Sequence, residues 1–164
     1  MQWSDVLADK SLNNLPYKIE LNEYGKIIMS PATNLHGYYQ SELTFLLRTL
    51  LPNGKVITEC SVQTIKGVKV ADVAWCSLEF LNKNSLQETP FQNAPELCIE
   101  IVSPSNSRKE MLEKISLYLG QGAIEVWLIT INGAVEFFNH TGNSEQSLFN
   151  QQISTISISD LLKQ

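Results

Sequence analysis

Hydrophobic and polar positions along this chain change their spacing several times, and each change predicts an element. Tyr17, Ile19 and Leu21 alternate with polar residues, Asn22-Glu23-Tyr24-Gly25 has turn composition, and Lys26-Ile27-Ile28-Met29 returns before Pro31, so an N-terminal β-hairpin is expected. Ahead of it, Trp3 to Ala8 suits a short helix. From His36 to Leu51 the period lengthens. Leu43, Leu46, Leu47, Leu50 and Leu51 recur at helical spacing, and Pro52-Asn53-Gly54 closes the helix. Strands are predicted at Lys55 to Gln63 and Val68 to Cys76 about a Lys66-Gly67 turn. A polar loop from about Asn82 to Pro95 follows, long enough to be functional or mobile.

The run Leu97-Cys98-Ile99-Glu100-Ile101-Val102 reads as a strand buried on both faces. It ends at Ser103-Pro104-Ser105, after which Ser107-Arg108-Lys109-Glu110 has the Ser-x-x-Glu form of a capping box and opens a helix to about Gly122. Val126 to Ile131 and Ala134 to Phe138 form a terminal hairpin through Asn132-Gly133. The tail from Gly142 to Ser157 is polar and weakly patterned, and is assigned no element. With no internal repeat and no low-complexity block, one domain over residues 1–164 is expected, its core about 17–138.

Composition narrows the function classes. At 164 residues and 43% hydrophobic content the chain can bury one sizeable core. No stretch approaches the roughly 18–20 apolar residues of a membrane span, and Met1-Gln2-Trp3-Ser4-Asp5 lacks the basic start and apolar run of a secretion signal, so no membrane partner and a cytoplasmic location are expected. Cys60, Cys76 and Cys98 are odd in number, widely spaced and set in apolar sequence, which favours buried free thiols over a disulfide or zinc site. A net charge of −5 argues against a general nucleic-acid coat protein, although an acidic cleft built to hold a divalent cation is itself a source of negative charge.

Candidate chemistry begins with Glu100, a carboxylate in the middle of a core strand. Unpaired burial of its charge costs several kcal/mol or suppresses the charge, so Glu100 requires a cation. A structural salt bridge is the plain explanation; a metal or catalytic site needs a second acid and a base. Asp72 interrupts Val68-Lys69-Val70-Ala71-Asp72-Val73-Ala74-Trp75 in the same way, and two carboxylates from neighbouring strands form a partial oxygen shell of the kind Mg²⁺ accepts. The base is sought on the next helix. At about 100° per residue, Tyr118, Ile115, Leu119 and Leu112 span its apolar face, Lys109, Glu113 and Ser116 lie opposite, and Lys114 borders the buried side. A lysine snorkelling past apolar neighbours is the plain alternative for Lys114.

Taken in order, Val70-Ala71-Asp72-Val73-Ala74, Ala94-Pro95-Glu96-Leu97-Cys98-Ile99-Glu100-Ile101-Val102-Ser103-Pro104-Ser105, Glu113-Lys114 to Tyr118, and Glu125-Val126-Trp127-Leu128-Ile129 resemble the Uma family, bacterial proteins described as restriction endonucleases within the PD-(D/E)XK nuclease superfamily. The similarity runs from about Tyr17 to Phe138 and includes Glu20-Leu21, Gly25 and the helix opening at His36. It implies an α/β, restriction endonuclease-like fold: a central mixed sheet flanked by helices. It also maps the superfamily's two acids onto Asp72 and Glu100. The usual lysine position two residues after the second acid holds Val102, and the resemblance moves that lysine to Lys114. Ala71 stands in place of the usual proline, and Glu110 where many relatives have aspartate.

The function this implies is Mg²⁺- or Mn²⁺-dependent hydrolysis of phosphodiester bonds in DNA. Asp72, Glu100 and, by resemblance, the Ile101 carbonyl would hold the metal, and Lys114 would serve the attacking water. Glu20 matches a family position near the cleft. His36, at the helix start, and Arg108 and Lys109, at a helix N-terminus suited to anions, are candidates for substrate phosphate; His140 reads as structural. Double-strand cutting suggests a homodimer. The competing reading keeps the fold as a catalytically silent nucleic-acid-binding or regulatory module. A cysteine hydrolase using Cys98 or Cys76 is disfavoured because neither thiol has a thiolate-stabilising setting.

Overall fold

The computed structural model describes residues 1–163. Helix α1 (Trp3–Ala8) and a 3-10 turn at Lys10–Leu12 lead into a hairpin of β1 (Tyr17–Leu21) and β2 (Ile27–Pro31), which form a two-stranded antiparallel sheet of their own. Helix α2 (Asn34–Leu50) follows, its N-terminus capped by the Thr33 hydroxyl, which accepts from the His36 N–H. β3 (Gly54–Thr64) and β4 (Gly67–Ser77) then make a long antiparallel pair. A short α3 (Leu78–Lys83) precedes β5 (Leu97–Ile101), α4 (Arg108–Gly120), β6 (Glu125–Ile129), β7 (Val135–Asn139), β8 (Gly142–Ser144) and α5 (Thr155–Leu162).

Strands β3 to β8 lie in chain order in one six-stranded sheet, antiparallel throughout except for β5 and β6, which run parallel with α4 as their crossover. This is the expected mixed sheet with flanking helices and an N-terminal hairpin. On one face α2, through Leu43 and Leu47, and α5 cover Ile99, Trp127 and Phe137; on the other α4 covers Val126, Leu128 and Cys98. Full burial of each such side chain contributes roughly 1.5–3 kcal/mol. All three cysteines are free and buried.

The hairpin rests against the lower half of β4. The β4–β5 ladder runs from Trp75↔Leu97 to Val73↔Ile99 and stops, so β4 residues before Val73 have β3 on one side and the hairpin on the other. Side chains make this junction: the Glu20 carboxylate accepts from the Val70 N–H at 2.9 Å, and Lys69 Nζ donates to the Leu21 carbonyl at 3.1 Å. Gly67 is required where the β3–β4 turn meets the hairpin. Its φ is +83°, and a Cβ there would lie 2.4 Å from the Leu21 and Asn22 carbonyl oxygens.

Three elements are absent from the sequence reading. Helix α3, which interrupts the start of the expected polar loop, is too short to display a period. It is marked by Ser77, whose hydroxyl caps the Phe80 N–H, and by the burial of Phe80. In the tail, Ile156 and Ile158 alternate with serine as a strand would, yet α5 forms because Ser154 and Ser157 make a capping box and Ile158 and Leu162, one turn apart, reach the core. β8 simply extends the edge beyond β7, so the expected terminal hairpin is not terminal. On α4 the buried stripe is also rotated from the predicted one. Met111, Ile115, Leu117 and Tyr118 are buried while Leu112 is exposed. Lys114 therefore falls inside the covered arc, because two carboxylates wait for it there.

Candidate active site

Where β4 and β5 part, Asp72 and Glu100 fill the gap that would have been the next ladder pair. Asp72 Oδ2 accepts from the Ile101 N–H at 2.6 Å. Its Oδ1 meets Lys18 Nζ from β1 at 2.6 Å and His36 Nε2 from the first turn of α2 at 3.1 Å. Glu100 Oε2 lies 3.2 Å from the same Lys18 Nζ and 3.3 Å from Lys114 Nζ, while its Oε1 accepts from the Tyr118 hydroxyl at 2.7 Å. Lys114 Nζ completes the series on Glu20 Oε1 at 2.7 Å. Five elements thus bring together a chain of alternating charge: Glu20, Lys114, Glu100, Lys18, Asp72, His36.

Burial makes that alternation necessary. Asp72 and Glu100 are 0% and 2% exposed and Glu20 6%, so each charge depends on its neighbours. Burial alone would raise the Asp72 carboxyl, yet the Lys18 ammonium and the His36 hydrogen bond hold it well below the usual carboxylate range. Glu20 behaves alike: burial opposes ionisation, but Lys114 and Lys18 keep its value lowered. Glu100 goes the other way. Burial dominates and pushes it up against the pull of Lys114 and Lys18, with Asp72 and Glu20 adding like-charge repulsion. His36 is raised, chiefly by its hydrogen bond to Asp72.

The third side of the site is built by a break in β3. Glu59 sits opposite Asp72 at φ +52°, and the β3–β4 register skips that pair between Thr58↔Val73 and Cys60↔Ala71. The Gln40 amide bridges the break, donating to Glu59 Oε1 at 2.5 Å and to the Asp72 main-chain carbonyl at 2.8 Å. His36 Nε2 and one carboxylate oxygen each of Glu59 and Asp72 lie within 4.8 Å of one another, a spacing and donor set that a cation could use. A cavity of about 290 Å³ opens here, bordered by Lys18, His36, Gln40, Glu59, Glu100 and Lys114.

Of the residues expected from sequence, Asp72, Glu100, Lys114, Glu20 and His36 converge. Ile101 also lies at the site, bordering the cavity with its N–H bound to Asp72. Arg108 and Lys109 do not join them. The Arg108 guanidinium binds both oxygens of Glu136 on β7 and stacks over the Phe138 ring, while Lys109 is exposed on the solvated side of α4. The helix N-terminus between them is already served, because Ser107 and Glu110 satisfy each other's N–H groups. Lys18, Gln40, Glu59 and Tyr118 are the residues that sequence reasoning missed. The one available signal was Lys18 and Glu20, two opposite charges on one side of a short strand.

A family model described as Uma2, "Putative restriction endonuclease", matches residues 7–164. No curated protein matches the chain. Among solved structures, the crystal structure of a "putative nuclease belonging to DUF820" from Anabaena variabilis superposes with a TM-score of 0.69, covering 88% of this chain and 90% of that one at 21% identity. At that identity the likeness is one of fold. No helix among the described residues is long and apolar enough to cross a membrane.

Proposed function

This chain belongs to the Uma2 family, and on that premise we propose that it is a nuclease hydrolysing phosphodiester bonds of DNA with the help of a divalent metal, Mg²⁺ or Mn²⁺. The observation that carries the reading is the meeting of Lys114 with Glu20 and Glu100 at the place where Asp72 and Glu100 face one another. A structural salt bridge would need one cation for one buried acid. Here three buried acids, two lysines and a histidine converge beside an open cavity.

A hard cation would be held by the Asp72 and Glu100 carboxylates, which meet across Lys18, with Glu59 and His36, whose ligand atoms gather around Asp72, adjoining. Such a metal would supply Lewis acidity toward a phosphoryl oxygen and lower the pKa of a water. The chain's own groups do the rest. Tyr118 fixes one oxygen of Glu100 so that the other faces the cavity. The Ile101 N–H fixes one oxygen of Asp72 in the same manner. Lys114 orients the attacking water and offsets charge growing on the phosphoryl oxygens, and Glu20 holds that ammonium in place. His36, beside Asp72 at the cavity wall, assists in holding the metal or faces the substrate phosphate.

Duplex cleavage needs two such sites or two encounters, so a homodimer in the cytoplasm is the proposed working form, checked by sedimentation. The reading is tested by cleavage of plasmid and single-stranded DNA with Mg²⁺ or Mn²⁺, comparing the wild type with Asp72→Ala and Glu100→Ala. Loss of activity on the order of 10³-fold in both is expected. Equal activity in the variants sinks the metal mechanism, and a wild type that binds DNA without cutting it favours the silent binding module.

A further inference from the structure

The ammonium of Lys18 stands between the two carboxylates to which the metal is assigned, 2.6 Å from Asp72 Oδ1 and 3.2 Å from Glu100 Oε2. Nothing in the proposed chemistry uses it there. A divalent cation and an ammonium answer the same need at that point, the neutralisation of two buried acids, and both cannot sit between them. We propose that Lys18 is a built-in competitor for the metal: its ammonium holds the position between Asp72 and Glu100 and is displaced when the metal binds.

The inference rests on the metal reading above, and four observations support it. Lys18 contacts both acids, whereas Lys114 contacts only Glu100 of the two, sharing itself with Glu20. The Lys18 side chain is 12% exposed, reached from the cavity side. The cavity next to it, which Lys18 itself lines, gives the displaced head group somewhere to go, and four rotatable bonds let it move without moving β1. Its strand belongs to the hairpin sheet and makes no ladder with β4 or β5 among the described residues, so a shift of this side chain disturbs no ladder of the main sheet.

A lysine in this role lets the acids fold close together in the absence of metal, where they would otherwise repel. It also weakens apparent metal affinity by the fraction of time it occupies the position. A position held nine-tenths of the time lowers affinity about tenfold. Once displaced toward the cavity, the same charge faces an incoming phosphate.

The test is Mn²⁺ binding by calorimetry to the full chain, with no substrate present. Lys18→Met is expected to bind Mn²⁺ about tenfold more tightly than the wild type, and its melting temperature, lower without metal, is expected to rise more on Mn²⁺ addition. Lys18→Arg keeps the charge and is expected to bind no more tightly than the wild type. Lys66→Gln, which removes an exposed cation paired with Glu113 at the β3–β4 turn, is expected to match the wild type within about twofold. Should Lys18→Met fold poorly, Lys18→Gln carries the same expectation. Unchanged or weaker Mn²⁺ affinity in the folded Lys18 variants overturns the competition while leaving the metal site standing; a Lys66→Gln gain equal to that of Lys18→Met reduces it to general charge and overturns it as well. Absence of Mn²⁺ binding in the wild type and in every Lys18 variant overturns the metal reading, and this inference with it.

Discussion

Two glutamates are buried on the two parallel strands at the centre of the sheet, and they are satisfied in opposite ways. Glu125, at the start of β6, is fully buried and faces neutral donors only: Oε1 accepts from Trp127 Nε1 at 2.5 Å and from the Ser147 hydroxyl at 2.7 Å, and Oε2 from the Leu148 N–H at 2.8 Å. Those partners are fixed by the strand and by the tail, which this carboxylate ties to the sheet. Glu100 on β5 has one neutral donor, Tyr118, and two lysines whose head groups border a cavity. The first arrangement is closed and the second is exchangeable. A buried carboxylate is therefore not a functional signal in itself; the mobility and charge of what satisfies it are.

The largest expected effect breaks the pair apart by activity. Glu100→Gln lowers DNA cleavage on the order of 10³-fold and leaves the urea midpoint unchanged or higher, since it removes an acid whose ionisation burial disfavours. Glu125→Ala does the reverse: it strands three donors, costs about 3–5 kcal/mol by urea unfolding, and leaves cleavage per folded molecule as it was. A Glu125 variant that folds but fails to cut would undo the comparison. Next in size is Tyr118→Phe, which frees one oxygen of Glu100; about a tenfold loss of Mn²⁺ affinity is expected, with roughly 1 kcal/mol of stability.

Thiol protection then reports which variants are folded. Burial pushes Cys60 up to about 12 and Cys76 up to about 11, against about 8.5 in an unfolded chain. Because the folded values are raised, this preference for the native state is complete below about pH 8.5 and is lost as pH rises through 11 to 12. Iodoacetamide at pH 8 should leave the thiols of wild type and Glu100→Gln protected and label those of Glu125→Ala faster. The smallest effect is outside both sites: Lys66→Gln breaks the exposed, solvent-screened pair with Glu113 and is expected to leave the urea midpoint where it was.

The parts of this fold that sequence discloses are those whose pattern has a single reading. Leucines at helical spacing in α2, an apolar run broken only by Glu100 in β5 and Asn132-Gly133 between β6 and β7 each admit one element. Helix α5 does not, because its isoleucines alternate while its caps and its Ile158 and Leu162 stripe dictate a helix. The site divides similarly. Asp72 and Glu100 are legible because two strands each carry a charge in mid-run that must find a partner, and Lys114 because it borders a covered helix face. Lys18 is not, since a lysine on a half-polar hairpin strand looks solvated until β4 is seen beside it. Tyr118 reads as core, and its hydroxyl acquires a purpose only once Glu100 is opposite. Arg108 misleads for a physical reason: the capping box that advertises an anion-binding helix end has already consumed it.

The hairpin holds to β4 by the side chains of Glu20 and Lys69, by close packing at Gly67 and by a small apolar cluster of Leu21, Ile19 and Ile27 around Val68, with no shared ladder among the described residues. Such a unit can open at a fraction of the cost of global unfolding, and when it does it carries away Lys18 and Glu20 together, one positive and one negative. The departure leaves the net charge of the site unchanged, but it strips Asp72 and Glu100 of the ammonium between them and opens both acids to water or a metal. Amide exchange in β1 and β2 should accordingly outpace exchange in β5 and β6. The lifetime of the assembled site and the lifetime of the fold are then separate quantities, and selection can adjust the first without touching the second.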